Sequence, residues 1–268
     1  MDDKDFLSIR KFSELTGIKQ SKLRYYDEVK LFQPVKRGAN GYRYYSAPQS
    51  IAVNFINVMR SLNIPVKEIN KLKEKRTPEQ ILRLFKKYEI ELNHELFRLQ
   101  QTYAIIHTYS NMIQEGLFTD EHTISIRTMA ETPIELGPEN DFSSGSFYDS
   151  FFQFVNQMTE RNVNSAFPAG GYYDSINTFM SMPGQPDRYF SLAPTGRSVK
   201  EAGVYIVGSV RGSYGDLGGL PERIQSYAEE QKLKFAGPVY EIYLHDEVAC
   251  HDPSQYLIQV SAQIKKMP

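Results

Sequence analysis

The sequence predicts an α+β chain in three segments. Three observations predict it: a basic head of short paired helices and a hairpin, a long apolar repeat of helical period, and a tail of alternating strands interrupted by two helices. At 268 residues the chain has room for two domains joined by a helix. The expected boundaries are 1–76, 77–116 and 117–268.

Charge separates the segments. The net charge is only −1, yet residues 1–76 hold 16 Lys and Arg against 8 Asp and Glu, a surplus of 8, while the remainder holds 15 against 24, a deficit of 9. Such a head has the footprint of polyanion binding, the alternative being a basic face that is merely solvated. A single cysteine, Cys250, excludes an intrachain disulfide and fits a reducing compartment. The chain starts Met1-Asp2-Asp3-Lys4-Asp5, and no apolar run approaches the roughly twenty residues a bilayer requires, so a cytoplasmic protein with no membrane partner is expected.

In the head, Ser8 stands as an N-cap before Ile9, Phe12 and Leu15 at helical spacing, and Gly17 stands where the helix must reverse. A second helix follows from Lys19 to Glu28, turning Leu23 inward and leaving Ser21, Lys22, Arg24 and Tyr25 outside. Helix, glycine turn and helix make a helix-turn-helix, whose second helix enters the major groove. Pro34 then stops the helix, and Lys36 to Ser46 reads as a hairpin turning at Asn40-Gly41. That hairpin is a wing, with Tyr42 and Arg43 placed for phosphates and at least one of Tyr42, Tyr44 and Tyr45 needed to pack it down. Helices over Pro48 to Leu62, carrying Arg60, and Pro65 to Lys75 complete the head. The expected DNA contacts are Ser21, Lys22, Arg24, Tyr25, Tyr42, Arg43 and Arg60.

Thr77-Pro78-Glu79-Gln80 is a capping box with proline at the first helical position. From there Ile81, Phe85, Tyr88, Leu92, Leu96, Leu99, Tyr103 and Ile106 recur at steps of three and four, and the pattern reaches Ile113 before Gly116. This is a coiled-coil seam on a helix of roughly 58 Å. Its partner is either a second copy of the chain, giving a homodimer that reads a palindrome, or the chain's own tail.

The head resembles the MerR family of transcription regulators. The resemblance is carried by Leu23-Arg24-Tyr25-Tyr26, Leu31, Pro34 and Gly41-Tyr42-Arg43-Tyr44-Tyr45, in order. It implies a winged helix-turn-helix, an antiparallel dimer through the long helix, and a site on double-stranded promoter DNA whose spacer is too long for RNA polymerase. Ligand binding in that family bends and untwists the DNA so that the promoter boxes realign. The family's metal sensors place thiolates near the end of the dimer helix, and none stands there in this chain.

The tail alternates strands near 123–128, 170–173, 188–192, 204–210, 239–244 and 256–264 with helices near Ser146 to Glu160 and Leu217 to Gln231. One helix per three strands suggests a duplicated unit around a shared groove. From Val204 onward, Gly212-Ser213-Tyr214-Gly215-Asp216-Leu217 and Gly237-Pro238-Val239-Tyr240-Glu241-Ile242-Tyr243-Leu244 are similar to GyrI-like effector-binding domains, a likeness that is vaguer over 122–200. It implies that Glu241 lines a ligand pocket.

Nineteen Phe and Tyr lie in residues 122–268. Tyrosine faces around one carboxylate suit a lipophilic cation. Glu241 is a charge in an apolar strand, and alternation puts it on one face with Val239 and Tyr243. It is either that counter-charge or an edge-strand residue facing water or pairing with an arginine such as Arg211. The expected ligand-binding set is Glu241, Tyr148, Phe151, Tyr172, Tyr189, Tyr214 and Tyr243. No Ser-His-Asp or Cys-His arrangement supports catalysis, although Glu241 with a tyrosine could activate water in a small-molecule hydrolase, and a non-cationic ligand is a further alternative. His245-Asp246-Glu247 with Cys250-His251-Asp252 falls in a loop between strands, where polar residues are usual, and neither a metal nor another cofactor is expected.

Overall fold

The computed structural model describes residues 6–73, 76–142 and 147–265, with the backbone alone for Phe147 and Tyr148. The expected helix limits at Lys75 and Ser146 lie outside the described residues. The chain forms two units, divided between Asn93 and His94.

In the first unit, α1 (Ile9–Thr16) begins at Ser8, whose hydroxyl accepts from the Lys11 amide, and ends at Gly17 with φ 70°. Helix α2 (Gln20–Glu28) follows. The wing strands β2 (Lys36–Arg37) and β3 (Arg43–Ser46) pair across a turn containing Gly41 at φ 78°. A strand that the sequence pattern left unmarked, β1 (Phe6–Ser8), adds to the far edge of β3. Helices α3 (Gln49–Ser61) and α4 (Val66–Leu72) close the head. Its core centres on Tyr45, which is fully buried and stacks 4.6 Å from Phe12 and 5.7 Å from Phe32.

Helix α5 runs from Pro78 to Leu117. The capping box forms: the Thr77 amide donates to the Gln80 side chain at 3.1 Å and the Gln80 amide to the Thr77 hydroxyl at 3.3 Å. Ile81 and Tyr88 pack onto the head core, whereas Leu92, Leu96, Leu99, Tyr103 and Ile106 are exposed. Gly116 does not end the helix. It is buried inside the last turn, against the ring of His245.

The second unit is built on one antiparallel sheet of eight strands: β4 (Ser125–Met129), β5 (Thr132–Glu139), β6 (Ala169–Tyr173), β7 (Arg188–Ser191), β8 (Ser198–Lys200), β9 (Gly203–Arg211), β10 (Phe235–His245) and β11 (Leu257–Ile264). Their order is β4-β9-β11-β10-β6-β7-β5-β8. Helices α6 (Phe147–Glu160), α7 (Ile176–Ser181) and α8 (Leu220–Glu230) accompany it.

The duplication is visible in that order. Strands β5, β6 and β7 around α6 lie first-third-second, as do β9, β10 and β11 around α8, and the two halves meet where β6 pairs with β10. The first half thus opens with β5, not with the 123–128 strand, which instead pairs with β9 as β4. Strands β5 and β8 and helix α7 went unforeseen, because Thr132-Pro133 and the short Ser198–Lys200 carry no clear apolar alternation. Among the described residues no helix is long and apolar enough to cross a membrane.

Candidate functional site

The head exposes a polar surface along the start of α2. Ser21, Lys22, Arg24 and Tyr25 face outward while Leu23 and Tyr26 are buried. Lys22 Nζ donates to Asn57 Oδ1 at 3.2 Å, and Arg24 Nη2 reaches Gln20 Oε1 only at 3.5 Å. Tyr42 is exposed on the wing. Arg43 and Arg37 both donate to Asp27 Oδ2 at 2.6 Å, and that carboxylate is buried. The hydrogen bond to Asp27 raises the Arg43 pKa further. Arg43 therefore ties the wing to α2, a structural duty the sequence reading did not assign to it. Arg60 likewise spends Nη1 on the Ile64 carbonyl at 2.8 Å, closing the end of α3.

The second site is a cavity of about 860 Å³ in the second unit. Strand β10 supplies Glu241 and Tyr243, strand β6 Gly170 and Gly171, helix α6 Phe151, Phe152 and Val155, and helix α5 Ile105, Tyr109 and Ile113. Gly171 lies opposite Glu241 in register, and a Cβ there would come 2.9 Å from Pro186. The missing side chain keeps the space before the carboxylate open.

Glu241 is 3% exposed on a strand that is central in the sheet. Its Oε2 accepts from the Tyr173 hydroxyl and its Oε1 from the Tyr243 hydroxyl, both at 2.8 Å. Burial raises its pKa, and the two phenol donors pull in the opposite direction. Arg211, the alternative partner, pairs with Glu121 at 2.9 Å instead. Burial also raises the pKa of Tyr173 and of Tyr243, with the Glu241 charge adding to it. Tyr214 packs 4.7 Å from Tyr243 and donates to Glu247. Tyr109 is pushed up to about 12, by burial first and then by Asp246 and Glu247. Among the described lining residues three are carboxylates, Glu241, Asp246 and Glu247, and none is Lys, Arg or His.

Five of the seven expected ligand residues line this cavity: Glu241, Phe151, Tyr189, Tyr214 and Tyr243. Tyr172 does not. Strand alternation sends it to the other face, where its ring packs 5.5 Å from Tyr240. Tyr148 lies outside the described side chains. Tyr109 and Ile113, which line the cavity, were missed, and so was Tyr173, which meets the site through its hydrogen bond to Glu241; the register Val239–Tyr173 and Glu241–Gly171 is the signal that would have found Tyr173. Among the described residues no group of three His, Cys, Asp or Glu is placed to hold a metal ion.

Two short helices, the β2–β3 wing and the exposed polar surface of α2 define a winged helix-turn-helix head of the DNA-binding type. Residues 8–45 match the family described as "MerR family regulatory protein". The chain is 25% identical over 276 residues to the multidrug-efflux transporter 2 regulator of Bacillus subtilis, an alignment covering 99% of each. It is 21% identical to the multidrug-efflux transporter 1 regulator of the same organism, over 97% of this chain and 98% of that one. With the transcriptional regulator BrlR of Pseudomonas aeruginosa it shares 29% identity over 76% of this chain and 74% of the relative. Residues 8–45 thus carry a MerR-type helix-turn-helix, and over nearly its whole length the chain is similar to transcription regulators that have such a head.

Proposed function

We propose that the protein is a dimeric activator that distorts its promoter when a lipophilic cation occupies the cavity of the second unit. One observation carries this reading: a cavity lined by aromatic rings, holding a buried carboxylate and no basic residue among its described lining. A buried carboxylate without a cation is costly, and phenol donors offset only part of that cost. A cationic ligand supplies the missing charge, and the aromatic faces hold its apolar substituents. Two Bacillus relatives are named as regulators of multidrug-efflux transporters, which fits a regulator of transcription; the choice of a cation rests on the cavity alone.

In this reading residues 1–76 read DNA through Ser21, Lys22, Arg24, Tyr25 and Tyr42, with Arg43 and Arg60 bracing the surface. Residues 77–116 pair two chains through the exposed stripe from Leu92 to Ile106, which is too apolar to be left in water. Residues 117–268 hold the effector, with Tyr109 of α5 joining the five expected residues around it and Tyr173 hydrogen-bonded to Glu241. The protein works in the cytoplasm beside RNA polymerase. Hydrolysis is disfavoured, because both oxygens of Glu241 are occupied by phenols whose own acidity is suppressed.

Footprinting on DNA upstream of its own and neighbouring genes, with and without tetraphenylphosphonium, tests the reading. The expected result is a twofold-symmetric footprint whose central cleavage pattern changes on adding the cation. Protection of one half-site only, or a pattern indifferent to the cation, counts against it.

A further inference from the structure

Helix α5 walls the cavity with Ile105, Tyr109 and Ile113, and its last turn is pinned to the sheet just beyond them. Glycine inside a helix weakens it relative to alanine, so a buried glycine there calls for a packing reason. At Gly116 the reason is close approach: a Cβ would lie 2.4 Å from Nε2 of His245 and within 3 Å of two of its ring carbons. His245 is the last residue of β10, the strand that carries Glu241 and Tyr243. Its Nε2 lies 3.0 Å from the Ile113 carbonyl, a contact that requires the proton on that nitrogen. Around this joint Met112 packs with Leu244 and Leu257, and Glu115 Oε1 accepts from Arg127 Nη1 and Gln259 Nε2, each at 2.9 Å.

Ile113 thus faces two ways. Its side chain lines the cavity, and its carbonyl holds the ring that closes the cavity's own strand. A ligand that draws on Glu241 acts on β10, and one that presses on Tyr109 and Ile113 acts on α5. The Gly116–His245 joint is where strand and helix must stay in register. Packed interfaces of this kind respond by switching between discrete arrangements rather than by yielding gradually.

We infer that Gly116 and His245 are the positioning pair through which occupancy of the cavity is passed to helix α5. The inference rests on the proposed function, since it presumes a ligand in that cavity. The test uses the full-length protein and tetraphenylphosphonium, with two readouts: probe affinity by fluorescence titration, and induced transcription from the footprinted promoter. Gly116→Ala inserts a methyl into the imidazole, and the milder His245→Phe keeps a ring while removing the donor. Each is expected to hold probe affinity within threefold of the parent protein while lowering induction at least tenfold. Normal induction in His245→Phe, or probe binding and induction falling together in both variants, overturns the inference. Failure of the unaltered protein to bind the probe would instead sink the proposed function itself.

Discussion

Replacing Glu241 by glutamine removes one charge from the cavity and almost no volume, so its consequence follows from electrostatics. A cation centred about 5 Å from the carboxylate, at an effective dielectric near 20, gains about 3 kcal/mol. Two phenol hydrogen bonds already disperse part of the carboxylate's charge, and glutamine keeps a carbonyl dipole pointing the same way. Roughly half the attraction should therefore disappear, about 1.4 kcal/mol or tenfold in Kd, as a lower bound. Titration calorimetry with tetraphenylphosphonium and with neutral triphenylphosphine oxide separates charge from shape. The cation should weaken at least tenfold, the neutral compound should change less than threefold, and promoter affinity without ligand should stay put. Equal cation affinity in the two proteins would falsify the counter-charge assignment, and so would an equal loss for both ligands.

The same carboxylate makes cation binding depend on pH. Burial raises its folded-state pKa, so below that value an incoming cation must displace a proton, and affinity should fall about tenfold per pH unit; above it the curve should be flat. For the empty protein the sign is opposite. Its contribution to stability is complete below the ordinary value of 4.5 and is lost as pH rises through the raised folded value, and a Glu241→Gln protein that melts with the parent's pH profile contradicts this. Arg24→Ala should weaken promoter binding at least tenfold in a gel shift and leave cation affinity unchanged; normal binding would mean that α2 is not the reading helix. Asp27→Asn removes the negative charge shared by Arg37 and Arg43, leaving at most one neutral carbonyl to accept from both, and with one arginine half exposed the cost should be about 2 kcal/mol in urea unfolding. An unchanged midpoint would show that the wing is held by its aromatic core alone.

What could be read from the sequence was what short-range chemistry decides. Ser8, Gly17, Asn40-Gly41 and the Thr77–Gln80 box are local signals, and each stands where its spacing put it. Glu241 stood out because a charge interrupts an apolar strand, and the structure buries it against the cavity. Partners set by register or by tertiary approach were not legible. Tyr172 and Tyr173 are adjacent and chemically alike, and only the pairing of β6 with β10 decides which of them meets Glu241. Tyr109 and Ile113 lay within the stretch read as dimer seam, and nothing in a 3.6-residue period says which face a curled sheet will cover. Gly116 looked like a helix stop because the imidazole that makes it necessary lies 129 positions further along the chain. Asp27 passed unnoticed for the same reason, since its two arginines arrive from the wing.

If charge in the cavity governs transcription from the head's promoter, the cation and its counter-charge must act together. The most direct measurement is run-off transcription on the footprinted promoter with RNA polymerase and the full-length protein, titrating tetraphenylphosphonium against the parent and Glu241→Gln proteins side by side. The expected result is induction by the cation in the parent and a half-maximal concentration at least tenfold higher in the variant, with no induction by the neutral analogue in either. Identical induction curves for parent and variant, or induction by the neutral compound at the same concentrations, would contradict it.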